Sequence, residues 1–154
     1  MTQERFMTSG WAAACRHRAN AWPDPAYKAT KLQDFWDWIA MVRPFVTGVV
    51  AFTVRKAPSG AEGDTLALDF AEGVVTAAAI TSRAEAEPRA TFLLAGALED
   101  WTDLLNGFDP GKTIMYRKLL LEKGETLQFF MAAFFWTELL AAIQTVPTEL
   151  PAPV

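Results

Sequence analysis

The stretch Leu127–Ile143, LQFFMAAFFWTELLAAI, decides how the chain is read. Ten of its seventeen residues are large and apolar, four are alanine, and only Gln128, Thr137 and Glu138 are polar. The pattern predicts one helix over 127–143. A surface helix needs an apolar stripe along one side, whereas this one is apolar nearly all round. Five such side chains left in water would forfeit on the order of 10 kcal/mol, at ~2 kcal/mol each. That rivals the whole net stability of a domain, ~5–15 kcal/mol. Both faces therefore need cover. A sheet can supply one; a second element, a partner chain or a bound apolar molecule must supply the other. A membrane is a poor candidate, because a helix of this length reaches only ~25 Å of the ~30 Å hydrocarbon core. Glu138 would also sit deep in lipid.

Outward from this helix, the rest of the chain supplies the sheet. Thr47–Lys56, Asp64–Ala71, Val74–Thr81 and Arg89–Ala95 have strand character, and the first three turn at Ala57–Gly63 and Glu72-Gly73. They read as an antiparallel meander, with Ser82–Pro88 as a loop. A fifth strand is expected at Lys118–Lys123, broken by Gly124, with Thr126 capping the last helix. Before the sheet, helices are expected at Gly10–Ala21, capped by Thr8 or Ser9, and at Ala26–Val42, with Leu32, Phe35, Trp36 and Ile39 at helical spacing. Between the fourth and fifth strands, Ala97–Asn106 and Pro110–Met115 are helical, and Gly107 ends the first of them. Met1–Thr8 reads as a tail, and Pro147 and Pro151 end ordered structure. The division is one domain over 1–154, with a helical lead-in to residue 46, a core over 47–146 and a tail over 147–154.

The totals bound the function. The 154 residues suit one domain, and a 51% apolar fraction suffices for a core. One cysteine excludes an intramolecular disulfide framework and fits a reducing compartment. A net charge of −4 argues against nucleic acid as a partner. With no basic-then-apolar leader at the start, cytoplasm is the default localisation.

Reactive groups are sparse. His17 stands among charged helix neighbours and reads as solvated, and Cys15 lies on an apolar stripe and reads as a small buried hydrophobe. One His and one Cys cannot close a zinc site, and the glycines stand singly at turns instead of forming a phosphate loop. Glu99, Asp100 and Asp103 belong to a solvated helix face, and Lys112, Arg117, Lys118 and Lys123 form a loose basic group. No metal and no cofactor is expected. The residues that stand out are apolar: six Trp, eleven Phe and five Met. Small Ala67, Ala77 and Ala79 leave room on one strand face, which Met115 and Met131 are placed to roof. An apolar cavity with few polar groups suits a lipid-sized ligand.

The order of parts resembles the sterol carrier protein 2 family. The resemblance rests on the helix ALEDWTDLLNG, the segment FDPGKTIMY, the strand KLLLEKGE and the apolar terminal helix. It covers about Thr47 to Val146, and the helix from Trp11 looks like the lead-in of bacterial members. Two departures stand out: Arg117 occupies a position where the family usually has Gly, and KLLLEKG is one residue long, as a bulge would make it. The resemblance implies an α/β fold of the α+β type, with a five-stranded, mostly antiparallel sheet and helices on one face. It further implies a hydrophobic tunnel under the terminal helix that holds a sterol, fatty acid, acyl-CoA or similar lipid without chemistry. By the motif match the tunnel-facing candidates are Trp101, Leu104, Leu105, Phe108, Met115, Phe130, Met131 and Phe134, with Phe135 and Trp136 added. No catalytic residue is carried over.

A non-catalytic lipid-binding protein is therefore the leading expectation. The alternative is a structural or accessory subunit whose extra apolar surface forms a homodimer or partner interface. An enzyme using Cys15 or His17 is third.

Overall fold

The computed structural model describes residues 2–55 and 64–151. From the N-terminus these form β1 (Glu4–Arg5), α1 (Ser9–Ala21), α2 (Pro25–Lys28), α3 (Gln33–Val42), a 3-10 turn (Arg43–Phe45), β2 (Gly48–Val54), β3 (Asp64–Ala71) and β4 (Val74–Ser82). Then come α4 (Arg83–Ala86), β5 (Ala90–Gly96), α5 (Leu98–Leu105), α6 (Pro110–Met115), β6 (Leu120–Lys123), α7 (Thr126–Met131), α8 (Ala133–Gln144) and β7 (Thr148–Glu149). The turn expected over 57–63 and the end of the first strand at Lys56 lie outside the described residues.

The sheet order is β4-β3-β2-β5-β6. The first three strands form the expected antiparallel meander, but the fourth does not continue it. β5 crosses back to lie parallel to β2, and β6 pairs antiparallel on its far side, so the five-stranded sheet of this α+β fold is mixed. The connection that allows this is the segment read as a loop. Ser82 accepts from the Glu85 N–H and caps α4, and Ala86 packs against Ala51, Ala90, Leu93 and Ala95. This alanine face is tight: small side chains let α4 lie close, and no roof of methionines covers it. Val50, Phe52, Leu66, Leu68, Phe70, Phe92 and Leu94 make the opposite face, which belongs to the main core with α1, α3, α5 and α8.

Both ends read as tails are tied down. β1 pairs in parallel with β7, and Phe6 packs edge-on against Trp11 and tilted against Trp101. Thr8 caps α1, whose Asn20 both donates to and accepts from the Val75 backbone, while Arg16 donates to the Val75 carbonyl. These bonds occupy the open edge of β4, where an unpaired strand would otherwise invite another chain.

Two expected helices are broken, and by the same device. The helix expected over 26–42 stops at Lys28 and resumes at Gln33, and the Trp36 indole N–H donates to the Lys28 carbonyl at 3.0 Å. The helix expected over 127–143 is interrupted at Ala132 (φ −106°, ψ 26°), and the Trp136 indole N–H donates to the Phe129 carbonyl at 2.9 Å. At each break the carbonyl keeps a backbone donor, the Lys31 N–H for Lys28 and the Ala132 N–H for Phe129, and a tryptophan one helix on adds an indole N–H as a second. The cap of α7 is Glu125 instead of Thr126; its carboxylate accepts from the Leu127 and Gln128 N–H groups.

Both departures from the family pattern have a structural form. Arg117 has φ 59°, a left-handed conformation that suits glycine. Arg117→Gly is expected to raise the unfolding free energy by up to about 1 kcal/mol, seen as a rise in melting temperature of about 2–4 °C. The extra residue in β6 is a bulge: Leu93 pairs with Lys123 but Leu94 pairs with Leu121, leaving Glu122 unpaired. The bulge turns Glu122 toward Arg55 and Arg83, which bind its two oxygens at 2.8 Å and 2.7 Å. Burial disfavours the charged carboxylate, yet hydrogen bonds from the two guanidiniums hold it below its ordinary range. A depressed folded value means that the unfolded chain takes up the proton first on acidification. The contribution is thus full above the ordinary glutamate range, roughly 4.3, and is lost as pH falls through the folded value. Between pH 7 and pH 3 the urea midpoint should fall further in the wild type than in Glu122→Gln.

Candidate functional site

The break at Ala132 shapes a cavity. Residues of α7, of α8 and of the chain entering β2 face one another above the sheet. Between them lies a space of about 250 Å³. Its floor is Val50, Phe70 and Phe92 on the core face of the sheet. Trp136, Ala132, Met131 and Gln128 form the roof, and Val42, Phe45, Val46 and Thr47 the side wall. The walls are rigid where they are aromatic. Trp136 stacks on Phe129 at 5.4 Å with rings 2° from parallel, and meets Phe70 and Phe92 edge-on. Gly124 holds the floor in place: with φ +117°, a Cβ there would come within 2.7 Å of the Thr91 carbonyl and press on the Phe92 ring. The mouth is greasy, with Phe45 84% exposed and Met131 64% exposed.

A second cavity of about 170 Å³ lies on the other side of Phe70, which lines both. Phe135 lines the second as Trp136 lines the first, so adjacent residues of α8 face the two spaces and Phe70 meets both rings edge-on. Its lining is mainly apolar, with Lys28, Arg43 and Glu138 as the charged side chains in the wall. Glu138, 5% exposed, accepts from the Trp22 indole at 3.0 Å, the Tyr27 hydroxyl at 3.2 Å and the Lys31 ammonium at 3.0 Å. Burial raises the Tyr27 hydroxyl above its usual value. Burial works against the Lys31 charge, but bonding to Glu138 and Tyr27 outweighs it and holds the ammonium above its usual value. Glu138 therefore answers the question its position in an apolar helix raised: it is buried, and paired.

Among the sequence candidates, Met131 and Trp136 line the larger cavity and Phe135 the smaller. Phe130 and Phe134 are half-exposed on the outer side of the break, with Phe134 against Phe35. The remaining five lie elsewhere. Trp101 is fully buried at the far end of β2, donating to the Thr53 carbonyl at 3.2 Å, with Leu104 beneath it. Leu105 is half-buried, Phe108 lies under the Lys118 ammonium at 4.3 Å, and Met115 is 76% exposed on α6, so it does not roof the cavity. The room expected beside Ala67 and Ala79 is likewise on the other face of the sheet. Phe70 and Phe92 were legible as strand residues, but nothing in their spacing marked them as cavity floor.

Cys15 is fully buried and burial pushes its thiol well above the ordinary value, while His17 is exposed. Among the described residues no three His, Cys, Asp or Glu come together to hold a metal, and no helix is long and apolar enough to cross a membrane.

A family model described as the SCP-2 sterol transfer family matches residues 39–131, the stretch from the end of α3 to the end of α7. A crystal structure of sterol carrier protein 2 superposes with a TM-score of 0.70 at 22% identity, covering 92% of this chain and 99% of that one. A solution structure of a conserved hypothetical protein from Thermus thermophilus, described as a candidate sterol carrier protein, gives a TM-score of 0.67 at 22% identity, covering 96% and 94%. At this identity the two share the fold with this chain. No curated protein matches it in sequence.

Proposed function

The chain belongs to the SCP-2 sterol transfer family, and from that premise we propose that it binds and carries an apolar molecule, without catalysis, in the cavity under α7 and α8. The observation that carries the reading is the 250 Å³ space between Phe92 and Trp136, apolar in its walls and open past Met131 and Phe45. Burying a flexible chain there gains ~25 cal/mol per Å² of apolar surface removed from water. Few polar groups line the space, so shape and hydrophobicity would select the ligand, and each methylene would discriminate by only ~1–3 kcal/mol. A sterol, fatty acid or acyl chain all fall within the class.

The test is direct. Protein purified under native conditions is denatured, extracted and analysed by mass spectrometry for co-purifying lipid. The lipid-free protein is then loaded with the neutral fluorophore Nile red and challenged with apolar ligands. Absence of both co-purified lipid and displaceable dye would remove the reading.

A second reading has its own observation. Leu127, Phe130, Met131 and Phe134 are exposed at the helix break, and Trp38, Met41 and Phe45 are exposed on α3 and the turn after it. Exposed apolar surface of this kind also serves as a homodimer or partner interface. Sedimentation separates the two: a lipid-loaded monomer supports carriage, an empty stable dimer the interface.

A further inference from the structure

Between α1 and α3 the chain from Trp22 to Leu32 runs along the smaller cavity and contributes Trp22, Pro23 and Lys28 to its wall. It is lightly attached. No residue in it is fully buried. Its backbone hydrogen bonds stay local: the N–H groups of Lys28, Ala29, Thr30 and Lys31 donate to carbonyls between Asp24 and Lys28, and the Leu32 carbonyl accepts from Phe35. Among the described residues no backbone bond ties it to the sheet or to α8. Its rings meet each other and the next helix: Trp22 lies 4.6 Å from Tyr27, and Tyr27 meets Trp36 edge-on at 6.2 Å.

One carboxylate holds this segment to the body of the protein. Trp22, Tyr27 and Lys31 all donate to Glu138 of α8. The remaining ties run to the flanking helices, from Asp24 to Arg18 of α1 and from the Lys28 carbonyl to the Trp36 indole of α3. The first of these is largely solvated and therefore weak. Glu138 itself is fixed, because Leu139, Leu140 and Ala142 bury the helix around it. A segment with no buried side chain and exposed backbone bonds opens at lower free energy than a sheet does. Behind it the buried Phe70 ring stands between this cavity and the one under Trp136, so a guest of the smaller space needs an entrance of its own.

We propose that Trp22–Leu32 is a lid on the smaller cavity, hinged at α1 and α3 and latched at Glu138, which opens while the sheet stays folded. Its opening admits a guest of about five water-sized groups, at ~30 Å³ each in 170 Å³.

Hydrogen exchange followed against urea tests the opening. The amides of Lys28, Ala29, Thr30 and Lys31 should exchange at least about a hundredfold faster than those pairing β2 with β3. They should show almost no urea dependence, because little surface is exposed when the lid alone moves. Tyr27→Phe removes one of the three latch bonds and should speed the lid amides about fivefold. Leu66→Val, in the fully buried sheet core, should speed the sheet amides and leave the lid amides unchanged. Access is read separately. Ala142 lines the cavity and is fully buried, so in a Cys15→Ala background the thiol of Ala142→Cys reports the entry of iodoacetamide. Its labelling should rise about fivefold with Tyr27→Phe and stay unchanged with Leu66→Val. Melting curves confirm that each variant folds. Lid amides that share the urea slope of the sheet, or that speed up with Leu66→Val, would overturn the proposal. So would labelling that ignores Tyr27→Phe or follows Leu66→Val.

Discussion

Trp136→Ala is expected to lower the unfolding free energy by about 3–5 kcal/mol, the range for truncating a large buried aromatic. The ring is 3% exposed and touches Phe129, Phe70, Phe92 and Phe135. Its indole N–H also donates to the Phe129 carbonyl at the helix break, beside the Ala132 N–H. Two effects therefore add, and a second variant separates them. Trp136→Phe keeps much of the volume and removes only the donor, so it should cost about 1–2 kcal/mol. Guanidinium unfolding of the three proteins gives both numbers. The alanine variant should also hold Nile red less firmly, because the cavity roof is gone. A loss below about 1 kcal/mol for alanine would mean that α7 and α8 are not packed around this ring.

Glu138→Ala is the second large effect. Removing one member of a buried ion pair costs ~3–5 kcal/mol when the other is left without water. Here Lys31 is 32% exposed and can be hydrated, which reduces the figure to about 2–3 kcal/mol. What remains is chiefly the stranding of the Trp22 and Tyr27 donors. Glu138→Gln, which still accepts from both, should cost less than alanine. The double variant Lys31→Met/Glu138→Leu refills the volume and removes both charges but still strands the Trp22 and Tyr27 donors, so it should recover only part of the loss seen in Glu138→Ala. A cycle with Lys31→Met measures the coupling, and strict additivity would show that the two groups do not depend on each other.

Burial of Glu138 bears on how much was legible beforehand. Read alone, a carboxylate in an apolar helix argued only against a membrane. Its meaning depends on Trp22, Tyr27 and Lys31, more than a hundred positions away. The expectation that one face of the terminal helix needs outside cover holds for one half of it. From Phe135 to Ile143 the helix is covered by its own chain, apart from half-buried Thr137, while Leu127, Phe130, Met131 and Phe134 are exposed. The surplus apolar surface is therefore concentrated at the break, beside the cavity mouth.

α4, β1 and β7 escaped the sequence, but by itself it determined the five strands of the main sheet, the turn at Glu72-Gly73, the extra residue in β6 and the family resemblance. Those are consequences of period, turn chemistry and spacing, which act over a few residues. Tertiary structure alone decided that β5 returns to β2, that both long helices break, and that the cavity lies beside Phe92 instead of the alanines. No Gly or Pro marks Ala132; the interruption is stabilised by an indole that donates to the Phe129 carbonyl, seven residues back, and by the rings that indole packs against. That added hydrogen bond forms only where packing across the sheet brings the indole to the carbonyl, which no local pattern in the sequence specifies.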